Sequence, residues 1–356
     1  MKKLLTSLLL LLACMAIFCA CSEGSTEPPA VQTPNGGEAS GGDQTPPHTH
    51  TWSGNAVCTS CGYESKLEYT EYDSYVKVTG IGTASGDVQV SNVYNGKPVT
   101  IIGDYAFADC TGLASITIPS SIMSIGEGAF EECESLTSIT IPSSITSIGD
   151  YAFCYCTGLT SITIPSSVTS IGVGVFEDCE RLTGITIPSS VTSIGEEAFG
   201  DCTGLASITI PSSVTRIDSE AFLGCSSLAR ITVENGNTVY HSEGNCLIET
   251  ASRTLLTGCK NSVIPTNGSV TSIESSAFSG CTGLTSIVIP SSVTSIGWCA
   301  FYDCTGLTSV TFANTEGWWR STSSTATSGT SVDVSNPGDN ADLLTDTYRF
   351  YYWKRG

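Results

Sequence analysis

Positive charge is scarce in this chain. Its 356 residues hold 14 Lys+Arg against 34 Asp+Glu, a formal net charge of -20. Nucleic acid and an acidic membrane surface both reward the opposite sign, so the composition fits neither as a partner. Histidine is scarcer still. Of the three residues, His48 and His50 fall in what reads as a linker and His241 stands alone, so imidazole-based catalysis has few places to sit. The sequence also lacks Gly-x-Ser-x-Gly, a phosphate loop, a dinucleotide glycine fingerprint, His-Glu-x-x-His and an Asp-x-Asp-x-Asp-Gly calcium loop. Carboxylate pairs are plentiful, but a solvated ridge neither raises a pKa nor excludes water as glycoside hydrolysis requires. This is the inventory of a non-catalytic protein that uses no cofactor. What the chain does have is Ser, Thr and Gly, 17 Cys, and 40% hydrophobic residues, enough for a sizeable core.

Met1–Lys3 is basic and Leu4–Phe18 nearly all apolar. That is the form of a secretory signal, too short for a comfortable membrane span, and no later stretch is long and apolar enough to make one. The segment Phe18-Cys19-Ala20-Cys21-Ser22 resembles the lipobox of bacterial lipoproteins. The resemblance implies diacylation of Cys21 and contact with the membrane only through that lipid. A conventional cleavage nearby is the alternative; Leu11-Leu12-Ala13-Cys14 is a second box that would leave an apolar stub. Residues 1–20 are therefore read as a signal peptide and 21–47 as a flexible, lipid-anchored linker, too poor in apolar residues to order itself. In residues 48–66, His48, His50, Cys58 and Cys61 could close on zinc, although His-x-His is a poor bite. A Cys58–Cys61 disulfide and free thiols stay open as alternatives. The segment resembles short His/Cys spacers beside repeat domains of bacterial surface proteins.

The dominant feature is a period of 23 residues. Phe107, Phe130, Phe153, Phe176, Phe199 and Phe222 keep it, as do Phe278 and Phe301, with columns of Cys (Cys110 to Cys304) and Pro (Pro119 to Pro290) in the same register. A fixed period in the twenties indicates a solenoid. Within one unit, Leu113, Ile116 and Ile118 form a short inward-facing strand that Pro119 ends. Ile122 and Ile125 point inward from a second extended arm, Gly126 permits a corner, and Ala129, Phe130 and Cys133 share one face of a short helical turn. One such coil cannot offset its own ordering entropy, whereas stacked neighbours can. The expected fold is thus a repeat solenoid of the leucine-rich type, β-rich, with short helical turns on its convex side and nine or ten coils over 99–312. Residues 67–98 are expected to form an N-terminal β cap with an Asn95-Gly96 hairpin turn, and 313–356 an aromatic C-terminal cap. Between Phe222 and Phe278 the spacing breaks, and a hairpin near 240–256 is expected to stand out of one coil.

The unit Cys-Thr-Gly-Leu-Thr-Ser-Ile-Thr-Ile-Pro-Ser-Ser-Val-Thr-Ser-Ile-Gly at Cys156–Gly172, and its kin, closely resembles the BspA-like leucine-rich repeats of bacterial surface proteins. The resemblance implies an exported, often lipid-anchored outer-membrane protein at the cell surface of a host-associated bacterium. Some members act as adhesins for matrix proteins or other cells. It implies no catalytic residues.

Outward strand positions form ladders of Ser and Thr, which serve as a docking face or simply as good strand formers. Specificity is expected where the ladder breaks, so Gly184, Thr186, Arg230, Thr232, Tyr240 and Val288 are the candidate ligand-binding residues. The expected partner is a host extracellular-matrix or other surface protein; carbohydrate capture and a purely structural envelope role are the alternatives. The column cysteines are expected to be buried, inert thiols, with Cys154 and Cys299 the better candidates for exposure. The acidic residues beside each Phe are expected on outer turns, as a solvated face that keeps the stack soluble.

Overall fold

The computed structural model describes residues 66–82 and 86–356; the leader, Cys21, the linker and His48, His50, Cys58 and Cys61 lie outside the described residues. Each unit folds as one coil, and about ten coils stack into a β-solenoid with very little helix. Three sides make a coil. The first carries strands such as Ser138–Thr140, Ser161–Thr163, Ser207–Ile210 and Ser286–Ile289. They pair in parallel with the equivalent residue of the next coil, as in Ser138 with Ser161 and Ser207 with Arg230. The second carries two-residue strands, Ser124–Ile125 beside Ser147–Ile148 and Ser170–Ile171 beside Ser193–Ile194. Constant spacing in the sequence becomes constant register in the sheet, because like residues stack on like.

The corner between these sides explains the Pro-Ser-Ser motif. Proline has no N–H to give the ladder, so the strand stops there. The proline carbonyl then accepts from the residue three on: Ile122 N to Pro119 O is 3.1 Å, and Ile145 to Pro142 and Val168 to Pro165 are each 3.0 Å. The second serine turns back on the previous coil, Ser144 Oγ donating to Ile122 O at 2.6 Å and Ser190 Oγ to Val168 O at 2.6 Å. The next corner is glycine because coils meet there backbone to backbone. A Cβ on Gly149 would lie 2.4 Å from the Glu127 nitrogen, well inside van der Waals contact.

The third side is a stack of turns rather than the short helical segment expected from the Ala-Phe-Cys spacing. Each coil places two residues four apart in the left-handed region, for example Tyr105 and Asp109 (φ 55° and 58°) and Glu197 and Asp201 (φ 53° and 49°). Such backbone costs a side-chain-bearing residue roughly 1 kcal/mol or more. It recurs because the alternation turns every second N–H toward the next coil. Tyr105, Phe107 and Asp109 donate to the carbonyls of Glu127, Ala129 and Glu131 at 2.8–2.9 Å, and Phe130 and Phe153 repeat the pattern. A continuous helix would instead direct these groups along its own axis.

Inside, Leu113, Ile116, Ile118, Ile122, Ile125, Ala129, Phe130 and Cys133 are all buried. The phenylalanine rings form an offset stack with centroids 5.2–5.8 Å apart from Phe107 to Phe222. Most column thiols donate to a Phe carbonyl of the preceding coil, as Cys133 to Phe107, Cys156 to Phe130 and Cys202 to Phe176 with Sγ–O distances of 3.1–3.2 Å; Cys110 turns to Ala108 O and Cys281 to Gly258 O. Cysteine suits this slot as a small, apolar side chain that still supplies a weak donor to a buried carbonyl.

The hairpin does not stand out of the coil. Tyr240–Glu243, Cys246–Glu249 and Thr254–Thr257 form an antiparallel meander that joins the parallel stack at Ser272–Ile273. Cys246, Leu247, Ile248 and Leu255 are fully buried at the join of the two halves of the core. On the turn side the insertion is bypassed: Gly224 N donates to Ser279 O at 3.2 Å, so the Glu220–Gly224 turn stacks directly on its counterpart 56 residues later. Gly258 takes the phenylalanine slot between them. Its N–H donates to Ala277 O at 2.8 Å, and a Cβ there would lie 1.9 Å from the Phe278 ring.

Both ends are closed. Val76–Gly80 continues the parallel side beside Lys97–Ile102, with Glu68–Glu71 antiparallel outside it; Asn95 and Gly96 (φ 49° and 77°) form a two-residue hairpin turn. At the other end Tyr352–Arg355 lies antiparallel to Ser295–Ile296 and Trp353 is buried. Buried Asn340, in the helix Pro337–Asp342, donates to Val310 O and Val334 O at 2.8 and 2.9 Å. Phe176→Ala should lower stability by about 3–5 kcal/mol, because a rigid stack cannot collapse into the void. Met123→Ala, at a 55% exposed position, should change it by no more than about 0.5 kcal/mol. Urea midpoints of the two variants check the contrast.

Candidate binding face

The outward positions of the long strands from Leu113–Thr117 to Ser309–Phe312 carry no carboxylate. Most acids of the regular coils, among them Glu131, Glu132, Glu177, Asp178, Glu197 and Asp201, lie on the turn side. Hydroxyls of Thr160 and Thr308 donate back to Thr137 O and Thr285 O at 3.0 and 3.2 Å and so brace the stack. Those of Ser161, Thr163, Thr186, Ser207 and Thr209 are exposed and are left to solvent. The result is a charge-poor, hydroxyl-bearing face.

It is interrupted at Gly184. Ser138–Thr140 pairs with Ser161–Thr163 over three residues and Ser207–Ile210 with Arg230–Val233 over four, whereas this coil meets the preceding one through a single bridge, Thr163 to Thr186. Ile185, whose counterparts Ile139, Ile162 and Ile208 are buried, is only half-buried. A notch of about 320 Å³ opens there, lined by Ile162, Gly184, Ile185, Thr186, Ser207 and Thr209. Neither usual reason for glycine holds at Gly184: its φ is not left-handed, and an added Cβ would meet nothing within 4 Å. What the missing side chain supplies is open space.

Arg230 is exposed, in register with Ser207 on the notch wall, and makes no ion pair among the described residues. Thr232 faces outward beside Thr209. Val288 is 50% exposed beside Thr311. Tyr240 does not belong to the face. It is buried, and its hydroxyl accepts from Ile217 N at 2.9 Å, so a ligand cannot reach it. An unanticipated member is Val263, 69% exposed between buried Ser262 and Ile264. The shifted repeat around the insertion hid its outward direction, although the alternation Ser-Val-Ile was there to find.

The turn side holds the charge. Burial, with neighbouring Asp109, pushes the Glu132 carboxyl up to about 7; burial, with Glu197 and Asp178, does the same for Glu177. Its thiols are inert: burial pushes Cys156 up to about 12. Cys154 and Cys299, expected to be exposed, are buried under the turn backbone, the Cys154 Sγ donating to Glu177 Oε2 at 3.7 Å. His241 Nδ1 lies 2.9 Å from Thr250 Oγ1, a local contact. Among the described residues no group of His, Cys, Asp and Glu could hold a metal ion, and no helix is long and apolar enough to cross a membrane.

Residues 85–205, 146–254 and 249–323 match the BspA type leucine rich repeat region in six copies. A leucine rich cell surface protein of Faecalibacterium prausnitzii A2-165 is 32% identical over 70% of this chain and 76% of its own, with a TM-score of 0.57. A leucine-rich repeat protein of Eubacterium ventriosum ATCC 27560 is 25% identical over 70% of each chain, with a TM-score of 0.47. No curated protein matches.

The raised carboxyls of Glu132 and Glu177 mean that, between the ordinary value of 4.5 and about 7, the folded chain binds more protons than the unfolded one. Stability is therefore gained as pH falls through about 7 and lost as it rises. The melting temperature should be higher near pH 5.5 than near pH 8, with added salt recovering part of the difference at about pH 8 through screening. A melting temperature that does not move with pH would remove this account of the ridge.

Proposed function

We propose a non-catalytic binding role for this chain, which belongs to the BspA type leucine-rich repeat family. The observation that carries the reading is the segregation of surfaces: a long, charge-poor, hydroxyl-bearing face on rigid strands, with the carboxylates on another side of the coil. A preformed, stiff surface docks a macromolecule at little ordering cost. The N-terminal sequence supports export and anchoring through Cys21 as an outer-membrane lipoprotein. The F. prausnitzii relative is described as a cell surface protein, which supports display outside. On this reading the protein is an adhesin for host matrix proteins or neighbouring cells. The notch at Gly184 favours a second reading in which the partner's glycan is what is held.

Protease treatment of intact cells, probed with an antibody to the repeats, should remove the solenoid while a periplasmic marker survives. Protection until the outer membrane is breached would reject the adhesin role. Cys21→Ser should release the protein from membranes while leaving its binding to immobilised matrix proteins unchanged.

A further inference from the structure

We infer that the Gly184 notch and Arg230 together form a subsite for a carboxylate-bearing saccharide residue. This rests on the long-strand face being the partner-binding surface. The notch is an open depression with about 320 Å³ of space, enough to seat one face of a sugar ring without enclosing it. Its wall mixes the edges of Ile162 and Ile185 with the hydroxyls of Thr186, Ser207 and Thr209. That combination suits a sugar ring, whose C–H face packs on apolar carbon while its hydroxyls exchange hydrogen bonds with both donors and acceptors. The broken ladder adds to it, since with one bridge at Thr163–Thr186 the backbone beside Gly184 is not fully engaged in the sheet.

Arg230 adds the charge. It replaces the serine of the ladder and is the direct parallel neighbour of Ser207, so its backbone lies about 4.8 Å beyond the notch wall. The side chain is exposed and, in a chain of net charge -20, has no acidic partner among the described residues. From Leu113–Thr117 to Ser309–Phe312 no outward strand position supplies a carboxylate to neutralise it; Asp87, the acid of this face, lies at its N-terminal end and accepts from Ser115. A guanidinium so placed is matched by a carboxylate, which it can grip through two parallel N–H donors. Phosphate and sulfate have the same sign, but the hydroxyl-lined notch one strand away calls for a polyol attached to the anion. Acidic sugar residues meet both conditions.

Calorimetric titration of the full chain with sialyllactose and with a glucuronic-acid disaccharide, against lactose, maltose and sodium acetate, tests the assignment. At least one acidic saccharide should bind about tenfold or more tightly than the neutral ones, and acetate should not compete. Arg230→Gln should abolish the preference for acid. Gly184→Ser, which fits without a clash and should melt like the parent chain, should weaken saccharide binding by filling the notch, while Ser138→Ala on the same face should not. Equal binding of acidic and neutral sugars overturns the assignment, as does affinity unmoved by Gly184→Ser. If no saccharide binds yet the chain still adheres to matrix proteins, the subsite falls and the adhesive role survives; if nothing adheres, both fall.

Discussion

Coil-to-coil backbone hydrogen bonding on the turn side is the constraint on which the rest of the molecule depends. Two short sheets would not by themselves hold ten coils in register, because the second-side strands are only two residues long. The N–H groups of Tyr105, Phe107 and Asp109, and their repeats, add a third ladder. That ladder requires left-handed backbone at two positions per coil, and the residues that accept it are often Asp, Gly or Tyr. Asp and Gly tolerate this region best. Tyr105 and Tyr151 are offset differently: a Cβ on Gly128 would lie 2.3 Å from the Tyr105 ring and one on Gly174 2.4 Å from the Tyr151 ring, so these two rings lie over a glycine of the next coil. Beneath the ladder, the Phe stack and the Cys–carbonyl bonds fill the same corner with one repeated arrangement.

This division of labour separates charge from recognition. The turn side takes the acids because its left-handed positions and solvent-facing corners suit short polar residues. Stacking them coil on coil raises several carboxyls by burial and mutual repulsion. The long-strand face is thereby left poor in charge. Departures from the repeat on that face are therefore informative: Gly184 opens a notch, Arg230 places an unpaired guanidinium beside it, and Val263 and Val288 expose apolar surface in its second half.

The insertion shows how a solenoid absorbs a break in period. The turn ladder jumps from Gly224 to Ser279, and the meander fills the interior that the skipped corner leaves. Gly258 keeps the phenylalanine slot empty so that the Phe278 ring can occupy it. The segment is thus a splice in the core, and Tyr240 is part of that splice, bound to Ile217 N.

The period, the inward face of each unit and the stacked architecture were legible in the sequence alone, because one short pattern recurs and each recurrence constrains the same backbone. Leu113, Phe130 and Cys133 could be assigned inward from spacing. Spacing could not distinguish a helical turn from the left-handed pair, since both bring Ala129, Phe130 and Cys133 to one side; only the neighbouring coil's carbonyls decide it. Gly184, Arg230 and Val288 could be picked out as breaks in a ladder. That Gly184 opens a cavity, that Arg230 lacks a partner, and that Tyr240 and Cys154 are buried depend on which residues of other coils lie beside them. Repetition makes local structure readable in one dimension, whereas the environment of an exception is set by neighbours 23 or 56 residues away.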